Sequence, residues 1–200
     1  VRPRSHFRGH YFIQLLPAAA LLAAVAFCAI TDLFKRLEFS LPPQTIPSII
    51  FAGAAISSIV QWNDIYFFLS PAQASRAIYG NNPFPEAVQI SRYITAHSVS
   101  DARIAVLGSE PEIYFYSHRH SASGYICTYP LMEQQPYALT MQREMAQQIE
   151  KNRPAFVVFV NISSSWVQST ATATNNLLAW WHDYSTNYQL AGAVDVFADK

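Results

Sequence analysis

Two long uncharged stretches in the first third of the chain constrain its fold more than any other feature. Residues 9–31 and residues 39–63 contain no Asp, Glu, Lys or Arg, whereas charges occur at ordinary intervals later in the sequence. A helix needs about 20 apolar residues to cross the hydrocarbon layer of a membrane, and the apolar part of a cleaved signal sequence is only about 7–15 residues long. The first stretch therefore predicts a membrane span over about residues 12–31. A buried core helix is the alternative interpretation.

The second stretch predicts another span over about residues 45–61. Three prolines lie near its beginning, which weakens the pattern, and a core helix is again the alternative. Trp62 and Tyr66 follow it, at the position of an interfacial aromatic belt. The short segment 32–44 between the stretches is charged enough for a turn at the membrane surface. Residues 1–63 are thus predicted to form a two-helix transmembrane hairpin.

From Asp64 onward the pattern is that of an α/β domain. Helices are predicted between apolar runs typical of strands, and a capping box from Ser109 to Glu112 is expected to begin the helix that follows the first strand. Strands that alternate with helices form βαβ units with a mostly parallel sheet. Residues 64–200 are therefore predicted to form a small three-layer α/β domain with about four strands. The predicted strands are 102–108, 123–129, 154–161 and 188–198.

The composition gives no reason to expect nucleic acid, a metal or another cofactor. Thirteen basic and thirteen acidic residues cancel, so no basic surface for nucleic acid is expected. Cys28 and Cys127 lie in segments of such different character that we interpret both as packing thiols. His118 and His120 supply at most two ligands, whereas a metal site needs three or four, and no matching cluster lies elsewhere in the sequence.

The densest polar cluster lies in "SHRHSASGY", residues 117–125. It contains His118, Arg119 and His120, which leave the predicted helix together. A surface turn is the ordinary interpretation of such a cluster. The alternative is contact with an acceptor sugar or an anionic headgroup, to which the guanidinium of Arg119 is chemically suited.

The turn after the first strand resembles a phosphate-binding βα turn only in part. Gly108 and Ser109 lead into a helix, but the glycine spacing of a dinucleotide site is missing, and Glu110 and Glu112 occupy the first turn. Nucleotide binding is therefore not expected. The two glutamates also make a poor acid/base couple, since residues i and i+2 point apart on a helix. We assign no catalytic residue from these patterns.

The polar rim of the first span is the remaining candidate. In "RGHYFIQLLP", Arg8, His10 and Tyr11 lead directly into the apolar stretch. Such residues either anchor a span at the interface or bind a lipid phosphate, for which a basic side chain and a Tyr hydroxyl are suitable. The residues alone leave both interpretations open.

At this point a family resemblance can be stated. "HYFIQLLPAAALLAA" resembles a late transmembrane segment of bacterial polytopic glycosyltransferases of the GT-C class, the family 39, protein mannosyltransferase-like and aminoarabinose-transferase-like enzymes. "ARIAVLGSEPEIYFYSHRHSASGY", with "TYPLME" and "KNRPAFVVFV" after it, is similar to the carboxy-terminal extracytoplasmic domain attached to many of them. The resemblance covers most of the chain.

The resemblance implies a function and a topology. These enzymes take a sugar from a polyprenyl-phosphate carrier at the extracytoplasmic face, and an acidic residue in a first outer loop, which this sequence does not contain, serves as base. Arg8, His10 and Tyr11 would lie at the lipid-phosphate pocket, although Lys is often the basic residue there. The segment 32–39 would then be cytoplasmic, against a slight preference of the Lys and Arg distribution for a cytoplasmic start. We follow the resemblance.

The expectation is therefore a catalytically incomplete carboxy-terminal part of an inner-membrane, multi-pass glycosyltransferase. Its expected partners are membrane lipid, the polyprenyl-phosphate sugar donor and the remaining spans of a longer parent chain. The soluble domain is expected on the periplasmic side. The alternative is a membrane-tethered α/β binding or scaffold domain without catalysis, and a soluble domain with two core helices is a third possibility.

Overall fold

The computed structural model describes residues 9–37, 40–162, 165–166 and 175–196. The chain divides into two compact units, Val1–Phe68 and Leu69–Lys200, each of which is described by itself.

The described part of the first unit is helical apart from a turn at residues 40–44 and single turn residues at 37 and 62. A 3-10 helix, Gly9–Leu15, continues into α1, Leu16–Arg36, and α2 follows at Thr45–Gln61. Pro17 fits the first turn of α1, where no backbone donor is needed, and basic residues in the last turn suit the negative end of the helix dipole. The rings of Phe27 and Phe51 meet edge to face at 5.6 Å and join the two helices.

One helix among the described residues has the length and composition to cross a membrane. It runs from Phe12 to Arg36, and none of its most apolar 18-residue window is buried inside the protein. The α2 helix is apolar but has 17 residues, and a single π-helical turn follows it at Asp64–Phe68. The transmembrane hairpin is therefore not confirmed, and the second span stays a prediction.

The second unit is a small α/β domain. In chain order its elements are α3 Pro71–Tyr79, α4 Phe84–Ala96, β1 Arg103–Leu107, α5 Glu112–Ser117, β2 His120–Ser121, α6 Tyr129–Met132, α7 Ala138–Asn152, β3 Phe156–Phe159 and α8 Asn175–Tyr184. A 3-10 turn, Ser185–Asn187, follows α8. The pattern of residues 70–84 predicts a short helix that Gly80 closes, and α3 confirms it. Gly80 adopts a φ of 61°, which favours glycine.

The three described strands form one parallel sheet in the order β2-β1-β3. In the β1–β3 pair, Ile104 lies opposite Phe156 and Leu107 lies opposite Phe159, while β2 pairs with β1 only through His120 and Ser121. Parallel strands need helical crossovers, so the pairing confirms the βαβ organisation that the sequence predicts.

The side chains of β1 alternate between the two faces of the sheet, and helices cover both faces. Ala105 and Leu107 belong to a core shared with α6, α7 and α8, in which Met145 and Ile149 are fully buried. Ile104 and Val106 of β1 enter a second core with α4 and α5. The buried members of that core are Ala87, Ile94, Ile104, Val106, Ile113 and Val160.

Two predicted strands are absent from the residues that the structure describes. Residues 123–128 are irregular because polar side chains take their backbone groups: Ser123 Oγ donates to the Tyr125 carbonyl at 3.0 Å, and Gly124 N–H donates to Gln148 Oε1 at 2.7 Å. The pairing strand lies earlier, at 120–121. Residues 188–196 are also irregular, with Leu190 89% exposed, and positions 197–198 lie outside the described residues.

The predicted capping box after β1 is also wrong. Helix α5 begins at Glu112, its N-cap residue is Pro111, and no side chain caps it. Ser109 Oγ lies instead 3.1 Å from Thr128 Oγ1, and Thr128 N–H donates to the Gly108 carbonyl at 3.0 Å. The turn after β1 is therefore tied to the segment before α6.

Candidate functional sites

The polar rim of the first span is only partly described. Arg8 lies outside the described residues, and His10 and Tyr11 lie in the 3-10 helix that precedes α1, although their side chains are not described. Binding of a lipid phosphate by these three residues stays a prediction.

The predicted polar cluster after α5 forms a tight turn. His118 ends α5 in the left-handed conformation, with a φ of 51°. Non-glycine residues adopt this conformation uncommonly and at a cost, so other contacts must hold it. His118 and His120 are exposed, whereas Arg119 between them is only 8% exposed.

The guanidinium of Arg119 forms hydrogen bonds within the domain. Its Nε donates to Ser98 Oγ at 3.0 Å, and its Nη1 donates to the carbonyls of Ser117 at 3.0 Å and His118 at 3.4 Å. Its Nη2 donates to the carbonyls of Ser98 at 2.9 Å and Thr95 at 3.4 Å. These five bonds match the five N–H donors of a guanidinium. Arg119 therefore ties the end of α5 to the end of α4, and an outside anion would have to displace these bonds.

Three exposed rings lie beside this turn, and we call them the aromatic patch: Phe115, Tyr116 and His118. Phe115 is 72% exposed and Tyr116 is 47% exposed. The Phe115 ring lies 5.4 Å from the ring of Tyr116 and 6.4 Å from that of His118, measured between centroids. Tyr114, next to them on α5, points inward, where its hydroxyl accepts the N–H of Val106 in β1 at 2.8 Å. The patch is thus held on a helix that is fixed to the sheet.

A second polar arrangement lies where β1 and β3 end. Glu110, in the turn after β1, is 4% exposed, and its Oε1 accepts a hydrogen bond from the hydroxyl of Ser165, which lies beyond β3. In open parallel sheets, ligands bind outside the carboxyl ends of strands whose connections leave in opposite directions. Since β2 and β3 flank β1 on opposite sides, Glu110 occupies such a place.

Burial changes the acidity of both glutamates at this edge. Burial raises the pKa of the Glu110 carboxyl from its ordinary 4.5 to about 7; the bond from Ser165 opposes the shift and the nearby Glu112 adds to it. Burial also raises the pKa of Glu112. Within the described ranges, Glu110 Oε2 and Glu112 Oε1 are buried without a hydrogen-bond partner. The sequence indicates two glutamates at the start of a helix. It does not indicate that Glu110 is buried, because that depends on Ser165, 55 residues later in the chain.

The described part of the chain contains no group of three or more His, Cys, Asp and Glu side chains placed to hold a metal ion. A groove of about 220 Å³ lies between α7 and α8, and Arg143, Gln147 and Trp180 are among its lining residues. Trp180 Nε1 donates to Glu150 Oε1 at 2.7 Å along this groove. This bond joins α8 to α7.

Comparison with known proteins adds no identification, since no family model, curated protein or solved structure matches this chain.

Proposed function

We propose that this chain is the carboxy-terminal part of an integral membrane glycosyltransferase. The complete enzyme transfers a sugar from a polyprenyl-phosphate carrier to an acceptor at the extracytoplasmic face of the inner membrane. This part carries two spans and an outer α/β domain and is not catalytically complete. The proposal unites the family resemblance of the sequence with the physical character of the first unit.

The observation that carries the proposal is the exposure of α1. Leu21, Leu22 and Val25 are 70%, 71% and 65% exposed, and the most apolar window of the helix is not buried at all inside the protein. A core helix of a soluble domain buries such a face, whereas lipid tails cover it at no cost. The membrane is therefore the environment that best accounts for α1.

The second span of the proposed hairpin uses α2 and the turn that follows it. At about 1.5 Å per residue, the 17 residues of α2 are about 26 Å long, slightly less than the hydrocarbon layer of about 30 Å. The π-helical turn Asp64–Phe68 adds length, and its aromatic side chains suit the interface. A hairpin with both ends outside would place the last turn of α1, with Lys35 and Arg36, in the cytoplasm and the α/β domain in the periplasm.

Arg8, His10 and Tyr11 are proposed to bind the phosphate of the lipid carrier. A guanidinium forms charge-assisted, often bidentate bonds to phosphate oxygens, and a Tyr hydroxyl adds a neutral donor. The three residues directly precede the span in the sequence, where lipid headgroups are expected. They contribute to binding the carrier, and the base of the reaction belongs to a part of the enzyme that this sequence does not contain.

The test uses the complete enzyme encoded by the reading frame that contains this chain. Arg8→Ala and Tyr11→Ala are expected to reduce transfer from lipid-linked sugar at least tenfold, whereas Arg8→Lys keeps part of the rate because it keeps the charge. Lys35→Ala, at the proposed cytoplasmic end of α1, is the control and leaves the rate unchanged. Unchanged rates for Arg8→Ala and Tyr11→Ala at normal expression would remove these residues from the site.

The aromatic patch favours a second candidate, a membrane-tethered binding or scaffold domain. Three exposed rings on a fixed turn are the kind of surface that binds a partner without chemistry. The reading frame upstream of Val1 discriminates the two candidates. Further hydrophobic spans and an acidic residue in a first outer loop support the enzyme, whereas a start codon with a ribosome-binding site at Val1 supports the tether.

A further inference from the structure

The turn that carries the aromatic patch is more tightly built than an ordinary surface turn. His118 is held in the left-handed region, and Nη1 of Arg119 binds the carbonyls of Ser117 and His118 on either side of this bend. A buried guanidinium with five hydrogen bonds leaves the turn little freedom. The backbone that carries the exposed imidazole of His118 is therefore held in one conformation, directly after Phe115 and Tyr116 at the end of α5. Strained, over-determined turns of this kind occur at functional sites.

The charges around the patch decide which ligand it suits. An anionic headgroup needs a cationic donor, but the donors of Arg119 are already used by carbonyls and a hydroxyl of the fold. Arg103 is exposed on the neighbouring strand, where it pairs in register with His120 and donates from Nη1 to the Ser121 carbonyl at 3.0 Å. The patch itself offers flat apolar rings, a phenol hydroxyl and imidazole nitrogens.

These groups match a neutral sugar ring. The C–H face of a pyranose packs on an aromatic ring, and its hydroxyls exchange hydrogen bonds with the phenol and the imidazole. Phe115 is largely exposed, so a ring laid on it would cover apolar surface that now faces water. Two aromatic side chains are rigid and lose little entropy when a ligand binds.

We propose that Phe115, Tyr116 and His118 form a binding surface for a neutral sugar, the acceptor of the transfer proposed above, and that Arg119 is its positioning residue. This inference rests on the proposed function for the identity of the ligand. It changes the sequence-based expectation for residues 118–120, because Arg119 acts through the turn and not by touching the ligand. His120, exposed on β2, lies at the margin of the surface.

The direct test measures binding by saturation-transfer NMR with the whole chain in detergent. The probes are the methyl glycosides of glucose, mannose, galactose and N-acetylglucosamine. Inorganic phosphate, followed by the broadening of its 31P signal, is the anionic alternative. At least one glycoside is expected to bind, and Phe115→Ala and His118→Ala are expected to weaken its binding at least fivefold. Tyr137→Ala removes a side chain of similar exposure, 70%, outside the patch and is the matched control. Binding of none of the glycosides overturns the inference.

Two further variants separate the interpretations. Arg103→Gln leaves glycoside binding unchanged if the surface recognises a neutral sugar. The inference would be overturned in favour of an anionic headgroup if the wild type binds phosphate but no glycoside, and if Arg103→Gln abolishes the phosphate binding. Arg119→Lys keeps the charge but loses the planar fork, so we expect weaker glycoside binding at a temperature where tryptophan fluorescence still reports the folded domain. Unchanged binding to folded Arg119→Lys would remove its positioning role.

Kinetics with the complete enzyme distinguish failure of this inference from failure of the proposed function. Phe115→Ala and His118→Ala are expected to raise KM for the acceptor at least fivefold with kcat unchanged, as expected for lost ground-state binding. An unchanged acceptor KM, with transfer still dependent on Arg8, overturns the sugar surface alone. Absence of transfer in the wild type overturns the proposed function, while glycoside binding to the patch would still be measured independently.

Discussion

Arg119 and Glu110 are both buried ionisable residues, but their surroundings differ. Arg119 has a partner for each of its five N–H groups, so its charge is compatible with burial. Glu110 has the hydroxyl of Ser165 on one oxygen and, among the described residues, no partner on the other. An ionised carboxylate in such a place is costly, and the pKa of Glu110 is therefore raised.

The raised pKa of Glu110 predicts that the domain loses stability as the pH rises. The folded protein holds this proton up to about pH 7, whereas the unfolded chain releases it near the ordinary pKa of 4.5. Between these values the folded state binds more protons, so the free energy of unfolding falls with increasing pH, by about 3 kcal/mol in all. Glu110→Gln is expected to remove most of this dependence, since an amide stays neutral. Urea unfolding followed by tryptophan fluorescence at pH 4.5, 6 and 7.5 measures it.

Glu133→Gln is the control for this prediction, because Glu133 is exposed and its replacement should leave the pH dependence in place. Burial also raises the pKa of Glu112, so Glu110→Gln is expected to keep a smaller pH dependence of stability that comes from Glu112. Equal stability of the wild type at pH 4.5 and 7.5 would show that folding does not raise the pKa of Glu110.

At the scale of elements, the α2 helix and the turn after it carry a specific expectation. Trp62, Tyr66, Phe67 and Phe68 are 49%, 59%, 66% and 72% exposed, and they follow directly on the apolar helix. Aromatic rings of this kind settle at the headgroup level of a membrane. Trp62 is therefore expected at the interface, neither in bulk water nor at the centre of the bilayer.

Depth-dependent quenching tests the position of Trp62. In vesicles, the fluorescence that Trp62→Phe removes is expected to be quenched more by lipids brominated near the headgroup than by lipids brominated near the end of the acyl chain. Trp180→Phe, a change in the α/β domain, should leave this quenching unchanged. If neither lipid quenches the fluorescence of Trp62, the result would contradict an interfacial position. It would also count against the proposal that α2 is a second membrane span.

The elements that the sequence predicted correctly are those with a strong local pattern. The β1 and β3 strands are apolar runs, and α7 shows helical spacing, with Met145 and Ile149 on its buried side. The β2 strand has only two residues, too few for any periodicity, and its place is set by pairing with β1. The segment 123–128 has the residue types of a strand, but local bonds of Ser123 and Gln148 replace the ladder.

The candidate sites were less predictable because their geometry is not local. The sequence picked out residues 118–120 from their polarity, but the burial of Arg119 depends on Thr95 in α4 and Ser98 just after it. The exposure of Phe115 could not be predicted from the sequence either. The apolar composition of "EIYFYS" is typical of a core helix, and Ile113 and Tyr114 on the same helix do point inward. Tertiary contacts decide which of these rings faces water.

At the scale of the whole molecule, two units of different physical character share one chain. The first exposes apolar helices, and the second buries two cores around a parallel sheet. The proposed membrane hairpin with an outer domain would account for both, since lipid would cover the first unit and water would surround the second. The proposed carrier site and the sugar surface both require the outer domain and the start of α1 to lie on the extracytoplasmic side.

Cysteine labelling in right-side-out spheroplasts tests this topology most directly. In a chain that carries Cys28→Ala and Cys127→Ala, a single cysteine is introduced as Lys35→Cys in the last turn of α1 or as Tyr137→Cys before α7. A membrane-impermeant maleimide is expected to label Tyr137→Cys in intact spheroplasts and Lys35→Cys only after the membrane is disrupted. Labelling of Lys35→Cys with protection of Tyr137→Cys, labelling of both in intact spheroplasts, or recovery of the chain in the soluble fraction would contradict the account.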